Sequence, residues 1–145
     1  MRSEPNATRD TIGFLLAKAA QHWNELLAER FRNAGYPEVR ASYGSLLVPL
    51  FEEDGLRLGE LAARARLSKQ TLTTMVRLLV RDGLVTSAPD PADGRATRVY
   101  LTERSRSFRR VAEGVLAELD GLVRTRLSPT EVDCLKANLK GVMEL

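Results

Sequence analysis

Hydrophobic residues recur along most of this chain at steps of three and four residues, which places them on one face of an α-helix. Four successive amphipathic helices are predicted in this way, over residues 8–34, 41–53, 58–65 and 69–82. Gly35-Tyr36-Pro37 ends the first, and Asp54-Gly55 ends the second. The second also contains Pro49, which lacks a backbone donor and is expected to kink it.

The fourth predicted helix has clear signals at both ends. Ser68 precedes it and is a residue type that caps helix N-termini, and Leu67 can pack on Leu72 as a hydrophobic staple. Gly83 follows it as a C-terminal glycine. Only a short turn separates this helix from the third, so the two are predicted to form a helix-turn-helix.

The hydrophobic periodicity changes after Gly83. Residues 84–87 and 97–101 are rich in β-branched and aromatic side chains and predict two short strands. The Pro-, Asp- and Gly-rich residues 88–96 predict a long loop between them. Thr102 then begins a long helix that runs to about Thr125, and Ser128-Pro129-Thr130-Glu131 opens a last helix with a capping box.

The predicted fold is mainly α with a small β-hairpin wing. Residues 41–101 form a winged helix-turn-helix lobe, and residues 1–145 are one domain. The helices in residues 8–34 and 102–145 have wide apolar stripes, so we expect them to pair with each other and with a second chain as dimerisation helices.

Composition excludes several classes of protein. The 145 residues contain one Cys, Cys134, and one His, His22, which rules out a disulfide framework and makes a zinc site implausible. Cys134 is expected to fill a small apolar position in the last helix. No apolar run approaches the roughly 20 residues that span a bilayer, and the polar start of the chain lacks a signal-peptide core. We therefore expect a cytoplasmic protein with no membrane partner.

The positive charge is concentrated in the middle of the chain. Residues 57–110 contain twelve basic and five acidic residues, a net charge of +7, whereas the remainder carries −4. A basic segment of this kind favours an anionic polymer as partner, although a solvated basic surface explains the charge equally well.

The fourth helix is the candidate for reading DNA. The second helix of a helix-turn-helix commonly enters the major groove, where Gln can pair with adenine and Thr can contact thymine. Its inward residues are predicted to be Leu72, Met75, Val76 and Leu79. The predicted DNA-binding residues of this helix and its cap are Ser68, Lys69, Gln70, Thr71, Thr73, Thr74 and Arg77. A solvated helix face is the competing interpretation.

The hairpin tip supplies a second set of candidates, Asp93, Arg95 and Arg98. A guanidinium on an extended arm suits the narrow, negative minor groove. Asp93 is expected to orient Arg95 or Arg98 by a charge-assisted hydrogen bond. The alternative is an Asx turn in which Asp93-Gly94 only closes the loop.

These segments resemble the multiple-antibiotic-resistance regulator (MarR) family of winged-helix transcription factors. The resemblance is carried, in order, by Glu60-Leu61-Ala62, Leu67-Ser68, Thr71-Leu72-Thr73, residues 79–85 (LVRDGLV), residues 90–95 (DPADGR) and Leu101-Thr102. It implies a homodimer that binds a pseudo-palindromic operator in double-stranded DNA. It further implies that Arg95 enters the minor groove, steadied by Asp93, and that the protein is a repressor released by a small ligand, often aromatic.

The sequence departs from the family pattern at several positions. Gly94 and Ser87 stand where basic residues are usual, which predicts weaker wing contacts. Ser105 replaces a common Gly, and Arg57 stands where a capping Ser or Thr usually precedes the third helix.

A small aromatic effector has one candidate site, formed by His22, Trp23, Arg40 and Tyr43. An aromatic anion would stack on the rings and pair with Arg40. The alternative is core packing for Trp23 and a surface position for His22 and Arg40.

Two other functional classes are alternatives to DNA binding. The sequence shows no nucleophile–base pair, metal-ligand set or Gly-rich phosphate loop, so we expect neither catalysis nor a cofactor. The other alternative is a winged-helix module that binds proteins without DNA. Its exposed helix face would carry apolar or acidic residues, whereas residues 69–81 carry no acid.

Overall fold

A computed structural model describes residues 8–145 and confirms a mainly helical fold with a small antiparallel sheet. The polar start of the chain, on which the expectation of no signal peptide depends, lies mostly in residues 1–7, outside the described residues. The elements are α1 (Ile12–Asn33), a 3₁₀ turn (Ala41–Tyr43), α2 (Gly44–Glu52), β1 (Leu56–Arg57), α3 (Leu58–Ala65), α4 (Lys69–Arg81), β2 (Val85–Pro89), β3 (Thr97–Leu101), α5 (Glu103–Arg124) and α6 (Pro129–Met143).

The chain divides into two compact units, and the boundary falls inside α5 after Val111. The first unit contains the helix-turn-helix and the sheet, and the second contains the end of α5 together with α6. The expected organisation into one domain, with a lobe at residues 41–101 between dimerisation helices, stays a prediction.

The core of the first unit lies among the short helices and the sheet. The inner face predicted for the fourth helix is confirmed, because Leu72, Val76 and Leu79 are buried and Met75 is half-buried. Fully buried members of this core are Tyr43, Leu46, Leu47, Leu50, Leu56, Leu61, Leu72, Leu79, Leu84, Val85 and Val99. This packing fixes which face of α4 points outward.

The sheet has three strands in the order β1-β3-β2, and both pairings are antiparallel. The hairpin of β2 and β3 was predicted, and Ser87 pairs with Val99 in its register. Strand β1 was not predicted, because two residues are too few to show an alternating pattern. Its Arg57 lies opposite Arg98 of β3, which brings two cations to the base of the wing.

Several helix ends are built as the sequence predicts. Thr102 and Ser105 cap α5 reciprocally: the Thr102 N–H donates to Ser105 Oγ at 3.0 Å, and the Ser105 N–H donates to Thr102 Oγ1 at 3.3 Å. Ser128 and Glu131 form the predicted capping box of α6. Pro49 lies inside α2, which nevertheless continues to Glu52.

The long helices carry apolar residues that this single chain does not bury. In α1 only Leu27 and Phe31 are buried, whereas Ile12 is 74% exposed. In α6 only Val132 is buried. Cys134, for which a small apolar role in the last helix is expected, is exposed in the single chain.

Two absences hold for residues 8–145. No helix in this range combines the length and apolar character needed to cross a bilayer. No three or more His, Cys, Asp or Glu side chains within it are grouped so as to hold a metal ion.

Candidate nucleic-acid interface

Helix α4 is oriented by its cap and by its buried face. Ser68 Oγ accepts a hydrogen bond from the Thr71 N–H at 3.1 Å, which satisfies one of the free amides of the first turn. Leu72 and Leu79 anchor the opposite face in the core. The exposed face then contains Lys69, Gln70, Thr73, Thr74 and Arg77, as predicted. These side chains are brought together on one surface.

The hydroxyl groups on this face are partly committed to the helix itself. Thr73 Oγ1 donates to the Lys69 carbonyl at 2.8 Å, and Thr74 Oγ1 donates to the Gln70 carbonyl at 3.1 Å. Ser68 Oγ also donates to Thr71 Oγ1 at 2.9 Å. Thr73 and Thr74 therefore offer an acceptor oxygen and a methyl group outward, which suits an amino group or a thymine methyl better than a phosphate.

The turn between α3 and α4 is held by an unusual backbone conformation. Arg66 adopts the left-handed region with φ of 54° and ends α3. A residue with a Cβ is disfavoured there, and Gly or Asn is the usual choice. As predicted, Arg57 gives α3 no side-chain cap.

The C-terminal end of α4 is tied to the start of α2. The Tyr43 hydroxyl donates to Asp82 Oδ2 at 2.5 Å, and the Arg81 Nε–H donates to Asp82 Oδ1 at 3.1 Å. The hydrogen bond from Arg81, followed by that from Tyr43, lowers the pKa of Asp82. Burial, and then the hydrogen bond to Asp82, raises the pKa of Tyr43. This link fixes the C-terminal end of α4.

Asp93 closes the loop at the wing tip. This favours the alternative interpretation, in which Asp93 forms an Asx turn. Asp93 Oδ1 accepts a hydrogen bond from the Arg95 N–H at 3.1 Å, the geometry of an Asx turn. Asp93 was expected to orient the side chain of Arg95 or Arg98, but it accepts from the main chain of Arg95, and the Arg98 guanidinium is bound by Asp90 and by the Gly55 carbonyl. Arg95 itself is exposed on the loop.

Arg98 is bound by Asp90, a residue that sequence analysis did not single out. Asp90 Oδ2 accepts from Arg98 Nε at 3.0 Å and from Arg57 Nε at 2.7 Å, and its side chain is only 1% exposed. Its Oδ1 accepts from the Ala92 N–H at 2.9 Å. The hydrogen bond from Ala92, followed by those from Arg98 and Arg57, lowers the pKa of Asp90.

The role of Asp90 becomes apparent only once strands β1 and β3 are known to pair. Arg98 also donates to the Gly55 carbonyl at 2.7 Å, so its guanidinium joins the wing to the turn before β1. Once β1 is known, Arg57 and Arg98 face each other across the sheet, and an acid between them offsets the repulsion of their like charges. Without β1 the sequence gives no reason to connect residues 57 and 90.

The four candidate effector residues differ in how far their side chains are exposed to solvent. Tyr43 is 1% exposed, so its ring does not present the free face expected of it. His22 is exposed and lies 3.9 Å from Glu25, Arg40 is exposed, and Trp23 is half-buried. Two surface cavities, near α4 and near Phe51, are lined by other residues. The effector site stays a prediction.

Proteins of similar sequence are named as transcriptional regulators. Residues 42–97 match the model of the MarR family. The HTH-type transcriptional repressor Rv2887 of Mycobacterium tuberculosis is 32% identical over 101 residues, which cover 63% of this chain and 73% of that protein. The HTH-type transcriptional regulator TtmR of Methylorubrum extorquens is 31% identical over 108 residues, 74% of this chain. The match spans only 54% of TtmR.

Solved structures share the fold over nearly the whole chain. PcaV from Streptomyces coelicolor, solved in complex with its natural ligand, has a TM-score of 0.80 at 22% identity and covers 99% of this chain and 98% of its own. The transcriptional repressor CouR, solved bound to a 23-mer DNA duplex, has a TM-score of 0.80 at 19% identity and covers 99% of both chains. The chain therefore belongs to the MarR family of transcriptional regulators.

Proposed function

We propose that this regulator binds double-stranded DNA sequence-specifically, as a homodimer on a pseudo-palindromic operator, with α4 in the major groove and the wing in the minor groove. One observation carries the proposal: a capped, core-anchored helix exposes a face of basic and hydrogen-bonding side chains beside a wing with an exposed arginine. A B-form major groove, about 12 Å wide, accepts one such helix.

Base recognition is assigned to the N-terminal half of α4. Gln70 pairs with adenine, while Thr73 and Thr74 contact base edges through their acceptor oxygens and methyl groups. Lys69 and Arg77 contact phosphates, and the amides of the first turn, with Ser68 and Thr71, favour a phosphate nearby. CouR, which shares the fold, is solved on duplex DNA.

In the wing, Arg95 is the residue proposed to enter the minor groove. Arg98 belongs to the interface through its support of the wing, because its guanidinium is bound to Asp90 and to Gly55. Asp93 shapes the loop that presents Arg95 through the Asx turn. The wing therefore contributes one free guanidinium together with the loop that aims it.

The homodimer is supported by the apolar residues that the chain leaves exposed. In α6, Leu135, Leu139 and Val142 are about two-fifths exposed and share one helix face. In α1, Ile12 and Leu15 are at least half exposed. Exposed apolar faces of this kind mark protein–protein contacts.

The regulatory outcome proposed is repression that a small aromatic ligand relieves. The relative Rv2887 is named as a repressor, and PcaV is solved with its natural ligand. Adding small aromatic carboxylates to the protein–DNA complex tests this part, since an effector lowers the affinity for DNA.

The decisive experiment is selection from a random duplex library with the 145-residue chain, followed by gel shift on the selected site. We expect a two-fold related motif with half-site centres about one helical turn apart. Arg77→Gln should weaken binding, whereas Arg64→Gln should not, because Arg64 belongs to α3 and is paired with Glu53. Failure of the wild-type protein to shift any duplex at low salt would overturn the proposal, as would an unstructured selection output.

A further inference from the structure

We propose that the cavity between α4 and the wing is the binding site for one sugar–phosphate strand of DNA, with Arg57 as its central phosphate ligand and Asp90 as the residue that positions Arg57. The cavity has a volume of about 450 Å³ and lies at the N-terminal ends of α3 and α4 beside the loop that carries Arg95. This inference rests on the proposed DNA binding and names a contact surface beyond the recognition helix and the wing tip.

The lining of the cavity has the chemistry of an anion site. Three cations line it, Arg57, Lys69 and Arg95, against a single acid, Glu60. Thr73 and Thr97 also lie in the lining. Cations from a strand, a helix and a loop thus converge on one space.

Duplex geometry explains why a phosphodiester strand belongs there. The major groove and the neighbouring minor groove are separated by one sugar–phosphate backbone, so elements placed in both grooves straddle that backbone. In this chain, the helix proposed for the major groove and the wing proposed for the minor groove both line the cavity. The phosphates of that backbone carry the negative charge that complements the cations lining the cavity.

Arg57 is held in the orientation that this role needs. Its Nε–H donates to the buried Asp90 at 2.7 Å, and its side chain remains 40% exposed. Since Nε carries the bond to Asp90, both terminal NH₂ groups remain able to donate to a phosphate, and charge-assisted bonds of this kind are strong. Asp90 also accepts hydrogen bonds from Arg98 and from the Ala92 N–H. These bonds fix the carboxylate that orients Arg57.

The salt dependence of DNA binding tests the inference on the operator found by selection. Arg57→Gln should reduce the slope of log K against log salt by about 0.9, the value for one lost phosphate contact. Arg64→Gln removes the same charge from α3 outside the cavity lining and should leave the slope unchanged. Glu60→Gln should strengthen binding, an outcome that misfolding does not produce.

Removing the charge of single DNA phosphates then identifies the phosphate that Arg57 contacts. We would place methylphosphonates, one at a time, along the strand between the two grooves. The wild-type protein should lose affinity at every phosphate that it contacts. At one of these positions per half-site Arg57→Gln should show no further loss, because the two changes remove the same interaction.

The outcomes separate the inference from the proposed function. If the wild-type protein binds its operator and Arg57→Gln keeps the full slope, the assignment of Arg57 is overturned while DNA binding stands. Equal losses for Arg57→Gln and the wild-type protein at every methylphosphonate would overturn it also. A wild-type protein that binds no duplex instead contradicts the proposed function.

Discussion

The Nε–H of Arg98 donates to Oδ2 of the buried Asp90 at 3.0 Å, and this ion pair joins the wing strand β3 to the loop that follows β2. The same carboxylate oxygen accepts from Arg57 of β1, so one acid connects all three strands of the sheet at the base of the wing. Removing the acid would leave two cations adjacent to each other. The position of the wing therefore depends on Asp90 more than on the exposed Asp93.

This arrangement predicts how stability depends on pH. The pKa of Asp90 is lowered in the folded protein, so its contribution to stability is fully present above its unfolded-state pKa of about 3.9 and is lost as the pH falls through the lower folded-state value. Asp90→Asn should therefore unfold more easily than wild type at pH 7, and the difference should shrink below about pH 4.

Urea unfolding of both proteins between pH 3 and pH 7 measures this difference. Asp133→Asn, at an exposed position in α6, serves as the control and should track the wild-type protein. A gap between Asp90→Asn and the wild-type protein that stays constant down to pH 3 would contradict the assignment.

The parts of the interface that could be predicted are those fixed by local sequence. Ser68 and Gly83 delimit α4, and its inward leucines follow from helical spacing, so its exposed face was predicted correctly. Asp90 was missed because its partners come from distant positions, Arg57 and Arg98, and meet only through strand pairing. Strand β1 is itself stabilised by its neighbours, and two residues carry no local signal.

The terminal helices show a second limit of sequence reasoning. The spacing of Leu135, Leu139 and Val142 predicts an apolar face correctly, but spacing does not say what covers that face. The single chain leaves these residues exposed, and Cys134 with them. Intermolecular contacts lie beyond what the periodicity of one chain encodes.

Gln70 should determine one base per half-site. Replacing it with Ala removes a side chain able to pair bidentately with adenine, at a cost of about 1–3 kcal/mol on the preferred sequence. Selection with Gln70→Ala should return a motif with one relaxed position in each half-site. Lys69→Ala is the matched control, because loss of a phosphate contact weakens binding uniformly across sequences. An identical motif for Gln70→Ala and wild type would refute this assignment.

Arg95→Ala should weaken binding to all operators and most where the flanks are rich in A·T pairs. The narrow minor groove of such flanks has the strongest negative potential, and Arg95 is the exposed guanidinium of the wing loop. Titration over a range of salt concentrations should give a slope smaller by about one. An unchanged slope, with no greater loss on A·T-rich flanks, would show that the wing does not touch DNA.

The left-handed conformation of Arg66 predicts a difference between two substitutions. Both Arg66→Gly and Arg66→Ala remove the guanidinium, but only Gly adopts a φ of 54° without a steric penalty. Arg66→Gly should therefore have a free energy of unfolding about 1 kcal/mol higher than Arg66→Ala, as measured by chemical denaturation. Equal stabilities would mean that the turn relaxes when the side chain is shortened.

The exposed face of α6 predicts the effect of a charge at Leu139. This side chain is 39% exposed and lies one turn from Leu135, in the stripe proposed to contact a second chain. A Glu there would carry an unpaired charge into the interface, which costs far more than the same charge in water. Leu139→Glu should therefore shift the protein from dimer to monomer in sedimentation equilibrium and weaken operator binding, while its circular dichroism stays helical.

Lys136→Glu introduces the same residue on the same helix at an exposed polar position and should remain dimeric. A dimer that withstands Leu139→Glu would place the interface on another surface, and a monomeric wild-type protein would contradict the proposed homodimer.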